Sequence, residues 1–324
     1  MKIENEIFNI KSSHDFETIA LDIFQYQYKN IPVYQEFCKL LNCNYQSVTS
    51  ILDIPFLPIQ FFKSHVVSDS QISEKIFSSS GTTGSVLSKH YVASIKLYKE
   101  SFTKAFKQFF GNPNEYVVLA LLPSYLEREG SSLVYMVDEL IQKSGHTEGG
   151  FYLYNINELI EKLHQLEAVG KKTLLLGVSY ALLDLIEKQT FQLKHTIIME
   201  TGGMKGRRKE MVKDELHSIL KKGFGVKKIY SEYGMTELLS QAYSKGEGIY
   251  KCPPWMKVLT RDSEDALSLI HGKTGGINII DLANYHSCSF IATQDLGKVY
   301  NDESFEILGR FDVSDIRGCN LLVQ

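Results

Sequence analysis

Between residues 95 and 230, short apolar runs alternate with amphipathic helical stretches, and few folds accommodate that alternation. Residues 116–122 (YVVLALL) form a short apolar run closed by Pro123, which suits a buried strand. Before it, Ile95, Tyr98, Phe102, Phe106 and Phe109 recur at helical spacing, and Gly111 with Pro113 stops that helix. After it, Leu133, Val134, Val137, Leu140 and Ile141 mark a second helix that ends near Gly145. Ile156, Leu159, Ile160, Leu163 and Leu166 predict a helix, and residues 173–176 a strand. Residues 196–199 (TIIM) predict a strand, 211–220 a helix and 226–230 a strand. The expectation is an α/β fold with a mixed, largely parallel sheet flanked by helices. Ligands in such sheets bind beyond the carboxyl ends of the strands, so chemistry is sought in the residues following each strand. The last third is more β-rich: residues 277–282 (INIIDL) and 290–293 (FIAT) read as short strands of a small barrel-like subdomain at about 250–310. The first ninety residues are helical from Phe16 to Leu41, then loop-rich around Pro55 and Pro58. With no internal repeat and no long linker, residues 1–324 are expected to form a single domain.

Charge and cysteine content exclude several classes. Lysine and arginine total 35 against 38 acidic residues, so no global basic field exists to hold nucleic acid. Five cysteines is an odd number and none forms a C-x-x-C pair, which argues against a disulfide framework or a zinc site. The N-terminus lacks the apolar run of a signal peptide, and no stretch approaches 18 uninterrupted apolar residues. A cytoplasmic protein with no transmembrane segment is expected.

Five short motifs carry possible chemistry. Ser78, Ser79, Ser80, Gly81, Thr82, Thr83, Gly84 and Ser85, with Lys89 beyond, can turn backbone N–H groups inward around a triphosphate; the alternative is a flexible loop without a ligand. It is not a Walker A loop: the only Gly-Lys-Thr, at 272–274, has Leu267 where the first glycine belongs. Tyr233, Gly234, Met235, Thr236 and Glu237 offer a ring to stack on a base and oxygens for a phosphate and its magnesium; the alternative is a capped helix start. Thr201, Gly202, Gly203 and Met204 allow close approach of a ligand to the backbone, or form a plain turn. Asp295, in Thr293–Gly297 (TQDLG), can hold two ribose hydroxyls, or make an ordinary Asp turn. Gly309, Arg310, Phe311 and Asp312 read as a hinge whose arginine meets phosphate or ribose, or as a solvated turn.

In this order, SSSGTTG, a GG loop, YGMTE, TQDLG and GRFD resemble the adenylate-forming superfamily of acyl-CoA synthetases and luciferases. The resemblance implies an N-terminal-type fold of that superfamily, with ATP and magnesium as cofactors. It makes Ser79 to Gly84 the phosphate loop, places Gly202, Gly203, Met204 and the Tyr233 region around adenine, and gives Glu237 to the magnesium and Asp295 to the ribose. Two departures stand out. The usual G-x-P-K after the phosphate loop is replaced by Ser85-Val86-Leu87-Ser88-Lys89, and the sequence stops at the hinge, where typical members continue into a lid domain bearing a catalytic lysine. With residues 54–63 (IPFLPIQFFK) and 315–322 (DIRGCNLL), the chain is similar to the acyl-protein synthetase (LuxE) family of bacterial bioluminescence. That family activates a fatty acid with ATP, moves it to a cysteine near its own C-terminus and passes it to a partner reductase.

On that footing Glu237 and Thr236 serve adenylation, and Cys319 is the candidate acyl acceptor, its thiolate favoured by Arg317; a buried, inert Cys319 is the alternative. Cys38, Cys43, Cys252 and Cys288 are assigned to packing, and a His286–Cys288 dyad is declined. A direct ligase that loads coenzyme A or an acyl-carrier protein is the nearest rival. A catalytically inactive nucleotide-binding subunit is another. A hydrolase reading of Gly177-Val178-Ser179-Tyr180-Ala181 lacks the last glycine of the nucleophile elbow, and this segment is expected to wall the acyl pocket instead.

Overall fold

The structure is a computed structural model describing residues 3–79, 86–123, 130–204, 207–209 and 211–311. Ser12 starts helix α1 (Ser13–Asn30): its hydroxyl accepts from the Asp15 N–H at 3.1 Å, and the Asp15 carboxylate accepts from the Ser12 N–H at 3.0 Å. The helical stretch predicted over 16–41 breaks at Ile31, because Pro32 opens a new helix, α2 (Pro32–Leu40), from its first position. Strand β1 (Leu57–Pro58) and the single turn α3 (Phe61–Ser64) follow. Strands β2 (Lys75–Ser78) and β3 (Lys89–Val92) pair as an antiparallel hairpin around the Ser/Thr/Gly motif, of which Ser80 to Ser85 lie outside the described residues.

The alternation predicted from residue 95 onward is present. Helix α4 (Ile95–Phe110) ends at Gly111, and α5 (Ser132–Ser144) ends at Gly145 in the left-handed conformation. Strand β4 (Val117–Leu121) lies between them, and β5 (Gly150–Tyr152), α6 (Ile156–Ala168), β6 (Thr173–Val178), α7 (Ser179–Lys188), β7 (Thr196–Thr201), α8 (Lys213–Phe224) and β8 (Tyr230–Tyr233) follow. Strands β5, β4, β6, β7 and β8 are all parallel, and β4 and β6 are buried along their whole length. From β8 the sheet continues antiparallel through β9 (Ala242–Ser244), β10 (Ile249–Lys251), β11 (Met256–Arg261), β12 (Leu269–Ile270), β13 (Thr274–Asp281), β14 (Phe290–Val299) and β15 (Phe305–Arg310). The order is β12-β11-β13-β14-β15-β10-β9-β8-β7-β6-β4-β5, with β1 pairing β14: thirteen strands among the described residues. The sheet is therefore mixed, parallel from β5 to β8 and antiparallel beyond apart from β1, and the β-rich last third is hydrogen-bonded into it.

Three further expectations need correction. Residues 226–229 are not a strand: Lys227 and Lys228 point into solvent, and pairing with β7 begins only at Met199 opposite Tyr230. Tyr233 thus ends the strand, instead of following it. The helix expected at 211–220 is shifted to Lys213–Phe224 and stops at Gly225, which adopts a left-handed φ of 67°. TQDLG is not a turn after a strand, since β14 runs through it to Val299. The motif instead sits on a bulge. The ladder to β13 skips from Ala292 opposite Asn278 to Leu296 opposite Gly276, so Thr293, Gln294 and Asp295 face Ile277 alone. Arg261, only 8% exposed, satisfies the bulge by donating to the carbonyls of Ile277 (2.7 Å) and Thr293 (2.5 Å).

Candidate active site

Three of the predicted motifs meet at one carboxylate. Tyr233, at the end of β8, donates its hydroxyl to Asp295 Oδ2 at 2.7 Å. Arg310, opposite Asp295 in the β14–β15 ladder, donates Nε to Oδ1 at 3.1 Å. Burial and the adjoining Asp295 charge push the Tyr233 hydroxyl well above its ordinary range, so it stays a donor. Asp295 is buried in the bulge while the Arg310 side chain stands in solvent. Arg310 closes β15 and is not part of a loose hinge turn; Asp312 lies outside the described residues.

The segment after Tyr233 is held from below by buried polar groups that the sequence reading did not single out. His90, in β3, places Nδ1 2.9 Å from the Thr236 carbonyl and Nε2 2.9 Å from the Ser287 hydroxyl. Asn284 donates to the Glu237 carbonyl at 2.8 Å and accepts from the Leu239 N–H at 3.0 Å. Asp281 accepts from the N–H groups of Leu239, Ser240 and Ala283 and from the Ser240 hydroxyl. Burial pushes Asp281 up to about 6 against the pull of those four donors. The one signal in the sequence was a carboxylate closing an apolar run, at Asp281 after residues 277–280.

Glu237 is buried to 6% exposure and neighbours Ser88. Burial raises its proton affinity, with the Ser88 hydroxyl and the charges of Arg310 and Lys63 pulling the other way. Ser88 also closes the stem of the Ser/Thr/Gly motif: its N–H donates to Ser79 Oγ, and its carbonyl accepts from the Ser79 N–H, both at 3.0 Å. Ser79 is therefore tied to Ser88, whereas Ser80, Gly81, Thr82, Thr83 and Gly84 lie outside the described residues. Lys89 points outward from the hairpin.

No cluster of three or more metal-ligating side chains occurs among the described residues. Magnesium is commonly held by one or two carboxylates plus substrate phosphates and water. A single buried carboxylate whose charge is only partly compensated fits a metal arriving with a nucleotide.

The GG loop lies beside this turn because β7 and β8 are neighbours, with Thr201 opposite Glu232. Thr201 Oγ1 donates to Glu232 Oε2. Gly202 takes a left-handed φ of 66°, Gly203 is half-buried and Met204 is buried. Ser179 fastens this loop: its hydroxyl lies 3.2 Å from both the Gly202 carbonyl and Glu200 Oε2. It is buried to 1% and faces a carboxylate rather than an imidazole, which contradicts the nucleophile-elbow reading. Glu200 itself meets Lys213 Nζ at 2.7 Å and His217 Nε2 at 3.4 Å. Burial opposes its charge, but the Lys213 charge and these hydrogen bonds hold it well below the carboxylate range.

Cys38 and Cys288 are buried, and Cys43 and Cys252 partly so; burial pushes all four thiols up. His286 binds Asp69 at 2.8 Å through Nδ1 and Glu4 at 3.0 Å through Nε2, while Cys288 Sγ donates to the Phe290 carbonyl. Arg317 and Cys319 lie outside the described residues.

No protein-family model and no curated protein matches the chain. Solved structures do. ATP-bound MatB from Rhodopseudomonas palustris matches 72% of the chain at 18% identity and TM-score 0.53, and the chain covers 47% of that protein. A 2-hydroxyisobutyryl-CoA ligase in complex with 2-HIB-AMP and CoA matches 94% of the chain at 13% identity and TM-score 0.68, with 70% of that protein covered. The fold is that of the adenylate-forming ligases. The chain spans about half the length of the MatB structures, 47%, so the likeness concerns the part of these enzymes that it covers. No helix among the described residues is long and apolar enough to cross a membrane.

Proposed function

We propose that this chain activates a carboxylic acid with ATP as an acyl-adenylate and then transfers the acyl group to a thiol. The observation that carries this is the convergence of Tyr233 and Arg310 on the Asp295 carboxylate beside the Glu237 turn. Asp295 receives the ribose hydroxyls, for which each carboxylate oxygen keeps one lone-pair direction. Tyr233 and the GG loop (Gly202, Gly203, Met204) bracket the base, with Gly234 and Met235 beside it. The Ser79-to-Gly84 segment cradles the phosphates, with Thr236 adding a hydroxyl. Glu237 holds the magnesium, which when bound neutralises charge on the phosphate oxygens.

The acid's carboxylate oxygen attacks the α-phosphorus, the bond to the β-phosphate oxygen breaks, and pyrophosphate leaves. A carboxylate by itself is inert to a thiol because oxide is a poor leaving group; AMP is a competent one. A thiolate then attacks the acyl carbonyl and AMP departs. We assign that thiol to Cys319, from which a fatty or other acyl group passes to a partner protein such as a reductase. The likeness to a ligase solved with CoA favours a second reading, in which coenzyme A or an acyl-carrier protein takes the acyl group directly. Intact-protein and peptide mass spectrometry after incubation with ATP, magnesium and a carboxylic acid separates these. The proposal expects the acyl mass on the C-terminal peptide, sensitive to neutral hydroxylamine and lost in Cys319→Ser. Acylation of coenzyme A alone selects the second reading.

A further inference from the structure

We infer that Arg261 is a positioning residue for ribose recognition: it holds open the bulge of β14 that presents Asp295. The inference rests on the ribose role given to Asp295 above. Arg261 closes β11, and β13 lies between it and β14. It is only 8% exposed, and among the described residues its hydrogen bonds all go to neutral oxygens. Nη1 donates to the Ile277 carbonyl and to Asn278 Oδ1, both at 2.7 Å, and Nη2 donates to the Thr293 carbonyl at 2.5 Å. A buried cation ordinarily sits against a carboxylate, because its desolvation is otherwise uncompensated. Arg261 instead spans two strands with its planar fork, one nitrogen on β13 and the other on β14, a geometry that a point charge such as lysine does not reproduce. Gly276 makes the passage: a Cβ built there would lie 2.5 Å from Arg261 Cζ. Gly276 is not among the residues with positive φ, so room for the guanidinium, rather than backbone conformation, requires glycine.

The fork connects to Asp295 through one knot of hydrogen bonds. The Ile277 carbonyl that accepts from Arg261 also accepts from Thr293 Oγ1 at 2.9 Å, and Thr293 Oγ1 in turn accepts from the Asp295 N–H at 3.1 Å. Gln294, between Thr293 and Asp295, gives its carbonyl to the Phe311 N–H at 2.8 Å, and the centre of the Phe311 ring lies 5.6 Å from Arg261 Cζ. All three residues of the bulge are thus fixed by Arg261, directly or at one remove. Burial lowers the proton affinity of Arg261 while the Asp295 charge raises it, so the guanidinium also feels the carboxylate that it positions. Without the fork, the carbonyls of Ile277 and Thr293 lose a donor, and nothing from β11 opposes a regular β13–β14 ladder. A strand that slips by one residue turns its side chains to the opposite face, which would carry Asp295 away from Tyr233 and Arg310.

The test measures acid-dependent pyrophosphate exchange by the full chain, with the best acid of a panel, into ATP, 2′-deoxy-ATP and 3′-deoxy-ATP, for the wild type, Arg261→Lys and Arg261→Gln. The wild type is expected to prefer ATP over at least one deoxynucleotide by about 10-fold or more in kcat/KM, the scale of one hydrogen bond to a charged group. The folded Arg261 variants should bring that ratio to near one while KM for the acid stays unchanged, and Arg261→Lys should do so although it keeps the charge. Arg261→Lys carries the test should Arg261→Gln not fold. Asp295→Ala should also bring the ratio to near one, and adding Arg261→Lys to it should lower the ratio no further. A merely structural Arg261 would lower the unfolding temperature and leave the ratio alone; that result overturns the inference and leaves adenylation standing. Equal use of all three nucleotides by the wild type overturns the ribose role of Asp295 and this inference together. Exchange by the wild type with no acid of the panel overturns the adenylation reading as well.

Discussion

His90 Nδ1 lies 2.9 Å from the carbonyl oxygen of Thr236, joining the strand after the Ser/Thr/Gly motif to the turn that carries Glu237. A carbonyl only accepts, so Nδ1 bears the proton and Nε2 accepts from the Ser287 hydroxyl. Burial pushes His90 down to about 4, so the ring is neutral at physiological pH and this tautomer persists. His90→Leu fills the space but strands the Thr236 carbonyl and the Ser287 hydroxyl. A loss of about 1–3 kcal/mol in urea unfolding is expected, with lower exchange activity at every pH from 6 to 9.

The His286 clamp predicts a pH dependence of stability. Burial lowers the proton affinity of His286, but the hydrogen bond and charge of Asp69, with Glu4 on the other nitrogen, raise it above the ordinary value. Folding therefore favours the protonated ring. The stabilisation is complete below the unfolded value of about 6.5 and fades as pH rises through the raised folded value. The stability gap between wild type and His286→Gln should be largest near pH 5.5 and shrink by pH 9. A gap that widens with pH contradicts the ion-paired state.

Much of this was legible in the sequence and some of it was not. Most strands and helices between residues 95 and 224 could be read because the buried runs are bounded by glycine, proline or a change of period, as at Gly111, Pro123 and Gly145, but the short strand β5 and the helix α7 were not expected. The strand near 230 was misplaced because residues 226–229 carry the apolar ends of a strand while Lys227 and Lys228 face water. Asp295 was expected past a strand end and not inside a strand, because the bulge that presents it depends on Arg261, 34 positions away, filling the gap. His90, Asp281 and Asn284 could not be assigned, because their partners come from segments far apart in the chain.

Tyr233→Phe removes the hydroxyl that donates to Asp295 and leaves the ring in place. If Asp295 holds ribose, ATP binding should weaken by up to about 1.5–3 kcal/mol in calorimetry, the size of one hydrogen bond to a charged acceptor. Combined with Asp295→Asn the losses should not add, because the two residues are in direct contact.

Gly234→Ala places a methyl group 2.4 Å from Glu232 Oε1, closer than atoms pack. Either the Glu232 side chain or the turn must shift, and a destabilisation of about 1–3 kcal/mol is expected. Thermal unfolding measures it; an unchanged midpoint would mean that Glu232 moves aside freely.

The central claim is that Glu237 serves acyl-adenylate formation, and acid-dependent ATP–pyrophosphate exchange tests it most directly. Glu237→Gln keeps the volume, but it removes the charge that would hold magnesium against the phosphates. The account predicts robust exchange by the wild-type chain with at least one carboxylic acid. It predicts a fall of about 100-fold or more for the folded Glu237→Gln variant, the usual scale for losing a charge-stabilising group from an active site. Wild-type exchange rates in that variant, or no exchange by the wild-type chain with any acid, would contradict it.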